Sequence, residues 1–239
     1  MPLSTRLMNA YFNFIYNPIY DFTTAQISLY QELQRACIDK LKFEDNNEVL
    51  CVGVGTGNEI LRILEKNSQV SVTGVDISRR ALARAHRKAL RRDKRIEAFE
   101  MDACKLNFDD ESFDKVLCIH VMGFLADDTE ATAEIFRVLK NEGQFVITYP
   151  AGNSLLKPAA AVGQSIFHNF RLGRWRKATR ELLAVVGGVL SLPINFWVRP
   201  KRGFYSHQGL KTMLAGLKLK DSQIEEDSVY QDLIIFGTK

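Results

Sequence analysis

Val49-Leu50-Cys51-Val52 runs directly into Gly53-Val54-Gly55-Thr56-Gly57, and residues 58–66 continue with helical periodicity. An apolar strand that ends in three glycines at alternate positions and then re-enters a helix leaves the chain few options. The glycines allow a tight turn where a ligand can press against bare backbone. The helix N-terminus turned toward that spot favours an anionic or carboxylate group. The pattern suits any nucleotide-binding α/β fold, so it narrows the ligand class without naming the ligand.

The surrounding pattern extends the same theme. Val70–Val75 reads as a second strand closed by Asp76, and Ser78 as the N-cap of a helix to about Arg92. That helix is expected to put Ala81, Leu82, Ala85, Ala89 and Leu90 on one face. Ile96–Glu100, Asp114–Ile119 and Gln144–Tyr149 read as further strands, with a helix over Asp127–Leu139. Strand–helix alternation at this spacing predicts a parallel sheet covered by helices on both faces. After Pro150 the period is lost over 151–203, which holds the uncharged stretch Leu182–Val198; Gly187-Gly188 and Pro193 are expected to interrupt any helix there. The period returns at Ser206 with a short helix to about Gly216. Leu217–Ile224 and Val229–Phe236 then read as an antiparallel strand pair.

With 239 residues, 46% hydrophobic and 25% charged, the chain is neither disordered nor fibrous. Cys37, Cys51, Cys104 and Cys118 stand apart with no C-x-x-C spacing, so reduced thiols are expected and no metal site is. The N-terminus lacks the apolar h-region of a signal peptide, and no window is long and apolar enough to span a bilayer. A cytoplasmic protein, peripheral to a membrane at most, is the expectation. The net charge of +4 is unevenly spread: residues 79–95 carry +8 and residues 155–203 carry +8. Both segments are candidates for an anionic membrane surface. For 79–95 the plainer alternative is a solvated face on a helix that covers the sheet.

Three further positions carry chemistry. Asp76 ends the second strand 19 residues after Gly57, where a carboxylate can accept both hydroxyls of a ribose. Asp102, in Met101-Asp102-Ala103 just past the third strand, can accept from an exocyclic adenine amine. Together with the glycines they place an adenosine with a charged tail across the carboxyl ends of strands one to three. His120 follows the fourth strand and is the best candidate for a catalytic base, with a packing role as its alternative. His86 and His168 sit in basic segments and read as solvated, and His207 as a surface or capping residue.

The motifs VLCVGVGTG, GVDIS, MDA, NFDDESFDKVLCIHVM and RVLKNEGQFVITYP together resemble the class I S-adenosylmethionine-dependent methyltransferases. Within them the chain is most similar to the branch of ubiquinone/menaquinone C-methyltransferases and bacterial phospholipid N-methyltransferases. The resemblance covers roughly residues 15–150 and the C-terminal helix and strand pair. It implies a doubly wound, Rossmann-like α/β sheet of seven mostly parallel strands with an antiparallel C-terminal pair. The implied organisation is an N-terminal helical lid over 1–44, a cofactor-binding core over 45–150, a basic and apolar insertion over 151–203 forming an acceptor pocket or membrane-facing cap, and 204–239 completing the core. The implied cofactor is S-adenosylmethionine, left as S-adenosylhomocysteine. Carried over position by position, Gly53, Gly55 and Gly57 would line its methionine and ribose. Asp76 would take the ribose hydroxyls, Ile77 would pack on adenine, and Asp102 with Ala103 would meet the adenine amine. Tyr20, in the Tyr20-Asp21 pair, would close over the site. Cys51 departs from the family, which carries Asp or Glu there, an acid that helps organise the methionine end.

A nicotinamide dehydrogenase is the rival for a glycine turn plus a strand-end acid, but the spacing here is G-x-G-x-G and the C-terminus reads antiparallel. Base methylation of nucleic acid calls for an N-P-P-Y type segment after strand four, where this chain has His120-Val121-Met122-Gly123. The insertion, rich in Phe, Trp, Leu and Val, instead suits an apolar acceptor: quinone-like, lipid or aromatic. Alternatives that stay open are a cofactor-binding regulatory or assembly protein without turnover, suggested by Cys51, and an RNA or protein methyltransferase using the basic segments.

Overall fold

The computed structural model describes residues 28–125, 127–151, 156–198, 205–217, 219–227 and 232–239, the side chains of 28–29, 156–159, 161 and 187–198 excepted. Tyr20 and Asp21 lie outside the described residues. In chain order the elements are α1 (Ser28–Asp39), β1 (Glu48–Val52), α2 (Asn58–Lys66), β2 (Ser71–Asp76), α3 (Arg79–Leu90), β3 (Glu97–Glu100) and β4 (Phe113–Cys118). A single 3-10 turn over Met122–Phe124 leads to α4 (Asp128–Val138) and β5 (Leu139–Pro150). Then come α5 (Leu156–Arg171), α6 (Trp175–Val198), α7 (His207–Leu214), β6 (Asp221–Glu226) and β7 (Asp232–Thr238).

The seven strands form one sheet in the order β3-β2-β1-β4-β5-β7-β6. β1 to β5 pair in parallel, and β7 enters antiparallel between β5 and β6. Alternation along β1 distributes its side chains between two cores. Val49 and Cys51 pack with Leu33, Cys37 and Ile38 of α1 and Ile60 and Ile63 of α2. Leu50 and Val52 pack on the other face with Ile135 and Phe136 of α4 and Leu210 and Leu214 of α7. Each fully buried aliphatic side chain here contributes about 1.5–3 kcal/mol.

Helix starts are capped by side chains, at Ser78 as read from the sequence and at two further positions. Ser78 Oγ accepts from Ala81 N–H at 3.2 Å, Asp127 Oδ1 from Glu130 N–H at 3.0 Å, and Ser206 Oγ from Gly209 N–H at 3.0 Å. Three expectations need correction. Leu90 is 73% exposed rather than part of the buried face of α3. At about 100° per residue, Ala81, Leu82, Ala85 and Ala89 fall within one arc of roughly 100°, and Leu90 lies some 80° beyond its edge. α6 runs unbroken through Gly187-Gly188 and Pro193. A proline removes one i→i−4 bond and a glycine costs about 1 kcal/mol, which a helix of this length absorbs. β6 begins later than its apolar run, because Leu217 and Leu219 are spent on packing against the core before the strand starts.

The loop between β3 and β4 is tied down by one side chain. Arg137 on α4 donates to Leu106 O at 2.7 Å, Phe108 O at 2.8 Å, Asp110 Oδ1 at 2.8 Å and Glu134 Oε1 at 2.6 Å. Glu134 in turn accepts from Leu106 N–H at 2.8 Å. Arg137→Met is expected to lower unfolding free energy by about 2–3 kcal/mol, since charged hydrogen bonds to backbone carbonyls are lost together. Urea denaturation checks this, and a loss below about 0.5 kcal/mol, the range of an ordinary surface substitution, would show the network to be decorative.

Candidate active site

The parallel strands deliver their carboxyl ends to one edge. Val52 pairs with Val75 and with Cys118, and Asp76 with Glu100, so the segments following β1, β2, β3 and β4 emerge side by side. Crossing hydrogen bonds fix their relative heights. Val54 N–H donates to Val75 O at 3.0 Å, and Met101 N–H to Asp76 O at 3.1 Å. The glycine turn, Asp76 and Met101-Asp102-Ala103 are thereby brought together.

All three glycines of the turn are left-handed, with φ of 66° at Gly53, 52° at Gly55 and 81° at Gly57. They differ in what lies against them. A Cβ on Gly53 would stand 2.1 Å from Val121 Cγ2, and one on Gly57 would stand 2.7 Å from Ala85 Cβ. A Cβ on Gly55 would meet no heavy atom within 4 Å. Gly53 and Gly57 are thus packing glycines, whereas Gly55 presents an open face of backbone. Lys88 of α3 binds the turn from below, donating to Thr56 Oγ1 and Asn58 Oδ1, both at 2.9 Å. One cation of the basic helix α3 thus holds the glycine turn, beside the Ala85 that Gly57 packs against. The two glycines should also fail differently. Gly53→Ala is expected to cost about 2–3 kcal/mol of stability, from the left-handed backbone plus the clash with Val121. Gly55→Ala should cost only the backbone strain, about 1 kcal/mol, while obstructing the open face. Urea midpoints compared with ligand titrations separate the two.

Asp76 is anchored by backbone on both oxygens: Oδ2 accepts from Gly55 N–H and Oδ1 from Ser78 N–H, each at 2.8 Å. Burial raises its carboxyl above the ordinary carboxylate value, and the two N–H donors oppose that rise. Ile77 beside it is half-buried. Asp102 is half-buried, with Oδ1 accepting from Cys104 N–H at 3.0 Å, while Ala103 points into the core.

His120 sits two residues past β4 at the same edge. Its backbone is left-handed, φ 57°, an uncommon state for a residue with a side chain, and its N–H is held by the buried Thr148 Oγ1 at 2.8 Å. Nδ1 lies 2.9 Å from Oδ2 of the buried Asp232, and the Tyr30 ring of α1 lies 5.3 Å away. Asp232 reaches this edge because β7 is reversed: its first residue pairs with Pro150, the last of β5. Sequence reasoning missed Asp232, although a reversed final strand must begin where the parallel strands end.

A second buried carboxylate was missed as well. Glu59, in the first turn of α2, accepts from Nε2 of the buried Gln34 on α1. Burial raises its carboxyl, opposed by its own backbone N–H, by Gln34 and by the charge of Lys88. Burial above all, and then the negative charge of Glu59, holds the Cys51 thiol in the neutral form. Glu59 precedes Ile63 by one turn on the apolar face of α2, which was the readable signal. The chain thus keeps an acid next to Cys51, supplied by the helix rather than the strand.

The residues present fit an adenosyl cofactor: an open glycine backbone at Gly55, a strand-end carboxylate hydrogen-bonded to that same turn, and a second carboxylate one strand over. Comparisons with known proteins agree. Residues 50–147 match the methyltransferase domain family. A ubiquinone/menaquinone biosynthesis C-methyltransferase of Geotalea daltonii is 26% identical over 213 residues, covering 86% of this chain and 85% of the relative. A phosphatidylethanolamine N-methyltransferase of Cereibacter sphaeroides is 33% identical over 131 residues, covering 54% of this chain and 62% of the relative. A demethylmenaquinone methyltransferase of Deinococcus radiodurans is 33% identical over 132 residues, and the chain spans 55% of it. Among solved structures, an S-adenosylmethionine-dependent methyltransferase from Aquifex aeolicus superposes with a TM-score of 0.60 at 13% identity, over 91% of this chain and 96% of that one. That structure shares the fold. The glycine turn, the strand-end acids and the reversed seventh strand agree with the matched domain: residues 50–147 belong to the methyltransferase domain family, and the chain is similar to class I S-adenosylmethionine-dependent methyltransferases.

Proposed function

We propose that this protein methylates an apolar small molecule of quinone-like, lipid or aromatic type, with His120 as the base and Asp232 as its positioning partner. S-adenosylmethionine, when bound, supplies an electrophilic methyl group on a sulfonium. Gly53, Gly55 and Gly57 would hold its methionine and ribose, Asp76 the ribose hydroxyls, Ile77 the adenine face, and Asp102 with Ala103 the adenine amine. Glu59 adds a negative charge on the side of α1 and α2, which suits a cation nearby. Methyl transfer in line needs the acceptor placed behind the methyl and water kept out. A base is required only where the acceptor carries a proton of high pKa.

The observation that carries this reading is the His120–Asp232 contact at 2.9 Å. A carboxylate oxygen can only accept, so Nδ1 holds the hydrogen and Nε2 is the nitrogen that can take a proton from the acceptor. Asp232 then stabilises the imidazolium that results. The names of the relatives, quinone C-methylation and phosphatidylethanolamine N-methylation, support an apolar acceptor. An anionic membrane surface, reached through the basic insertion, is where such an acceptor would be met.

The test is transfer of labelled methyl from S-adenosylmethionine to a demethylated quinone, to detergent-dispersed phosphatidylethanolamine and to a phenolic aromatic. Label recovered in the organic phase with at least one of them is expected. Label appearing only in RNA or protein would overturn the acceptor class. Cofactor binding with no label transferred to any acceptor would favour a regulatory protein.

A further inference from the structure

α5 and α6 form a hairpin whose polarity is inverted relative to an ordinary helical cap. Its seam holds Asn169, Ala178, Glu181 and Ala184, all at most 2% exposed. Glu181 accepts there from Asn169 Nδ2 at 3.0 Å and from Ser165 Oγ at 3.2 Å. The outside carries the apolar side chains: Phe167 64%, Leu172 51%, Trp175 64%, Leu182 46%, Leu183 54% and Val186 48% exposed. Among the described residues only two other large hydrophobics, Leu90 and Phe99, are comparably open, so the exposure is concentrated on this hairpin. A patch of this kind marks an interaction surface.

The charges identify the partner. Arg171, Arg174, Arg176, Lys177 and Arg180 surround the turn and are all exposed, and residues 171–180 contain no acid. Gly173, at φ 68°, makes the turn, and Phe170 packs edge-on against Trp175 with ring centroids 5.0 Å apart. An apolar tip with an exposed Trp inside a ring of arginines matches the layers of an anionic bilayer surface, with acyl chains beneath phosphates. Nucleic acid is a poorer match, because four of the six exposed apolar side chains, Leu172, Leu182, Leu183 and Val186, offer no ring for a base to stack on. No helix among the described residues is long and apolar enough to cross a membrane, so the fit is to the surface.

We propose that the α5–α6 hairpin is a membrane-docking element that inserts Leu172 and Trp175 among the lipids of an anionic bilayer while the five surrounding cations bind phosphates. The hairpin follows β5, whose last residue, Pro150, pairs with Asp232 at the active-site edge. The purpose of docking rests on the apolar acceptor proposed above, but its test does not.

The experiment is co-sedimentation of the full chain with large vesicles of phosphatidylcholine alone, or mixed two to one with phosphatidylglycerol. Trp175 emission is followed in a Trp197→Phe background. Binding to the anionic vesicles with a blue shift of Trp175, and little binding to phosphatidylcholine alone, is expected. Each cation near an anionic surface multiplies partitioning about fivefold, so Arg174→Glu with Arg176→Glu should weaken binding at least 25-fold. Leu172→Glu with Trp175→Ser should weaken binding comparably, while cofactor binding and turnover of a water-soluble acceptor analogue stay at wild-type levels and show the fold intact. Vesicle binding untouched by either pair, or no binding to anionic vesicles, overturns the assignment. So does a concentration-dependent dimer lost in Leu172→Glu without vesicle binding, or RNA binding at low salt in its place. Methyl transfer to a detergent-dispersed acceptor, assayed without vesicles, tests the acceptor reading separately.

Discussion

Replacing His120 by alanine is expected to lower turnover at least 100-fold on an acceptor that must lose a proton, while cofactor affinity changes by less than about threefold. The local geometry is costly unless it serves a purpose. A left-handed backbone at a residue with a Cβ costs roughly 1–2 kcal/mol, and the buried Thr148 is spent on holding the His120 N–H in that state. Asp232 then fixes the ring through Nδ1, with Tyr30 against it. A histidine that merely filled space would need none of these. Asp232→Asn is the informative companion, because its amide can donate to Nδ1 and so favours the tautomer with hydrogen on Nε2, the wrong nitrogen for a base. It should lose most of the activity with little loss of stability. His120→Ala turning over within threefold of wild type would return His120 to packing. His120→Ala and Asp232→Asn inactive to the same extent, and no worse in combination, would show the two acting as one unit.

What could be read from the sequence depended on how local each feature is. The glycine turn, Asp76 and the Ser78 cap each lie within a few residues of the strand or helix end that defines them, so periodicity and capping rules find them directly. Strand order is not local, yet short crossovers and their fixed handedness leave few arrangements for an alternating chain, and the parallel sheet follows. Features that need two distant segments were hidden. Asp232 matters only because β7 is inserted in reverse beside β5, and Gln34 only because α1 lies against the first turn of α2. The uninterrupted α6 shows the opposite failure, where a local rule about Gly and Pro was outweighed by the length of the helix. Leu217 and Leu219 mark a third case: an apolar run announces burial and leaves open whether a strand or a packed turn provides it.

Asp76→Ala should weaken binding of S-adenosylhomocysteine about 5- to 150-fold, the equivalent of about 1–3 kcal/mol for lost charged hydrogen bonds. The product is the better probe, because it has no methyl to transfer and its titration reports the adenosyl and homocysteine contacts alone. The wild-type carboxylate holds Gly55 N–H and Ser78 N–H at 2.8 Å, so its loss also frees two backbone donors beside the open face of the glycine turn. Asp76→Asn separates the two effects. It keeps one oxygen for one backbone N–H, but its amide can accept from at most one ribose hydroxyl. Affinity in Asp76→Asn should therefore fall nearly as far as in Asp76→Ala, with the melting temperature closer to wild type. The pH dependence has a definite sign. Burial raises the Asp76 carboxyl above its ordinary value, so wild-type affinity should decline as pH falls through that raised value, where the carboxylate takes up a proton. In Asp76→Asn, with no proton to take up at this position, that part of the acid-side decline should disappear. Wild-type affinity in either variant, or an unchanged pH profile in Asp76→Asn, would remove Asp76 from the ribose site and leave it as the brace that joins β2 to the glycine turn.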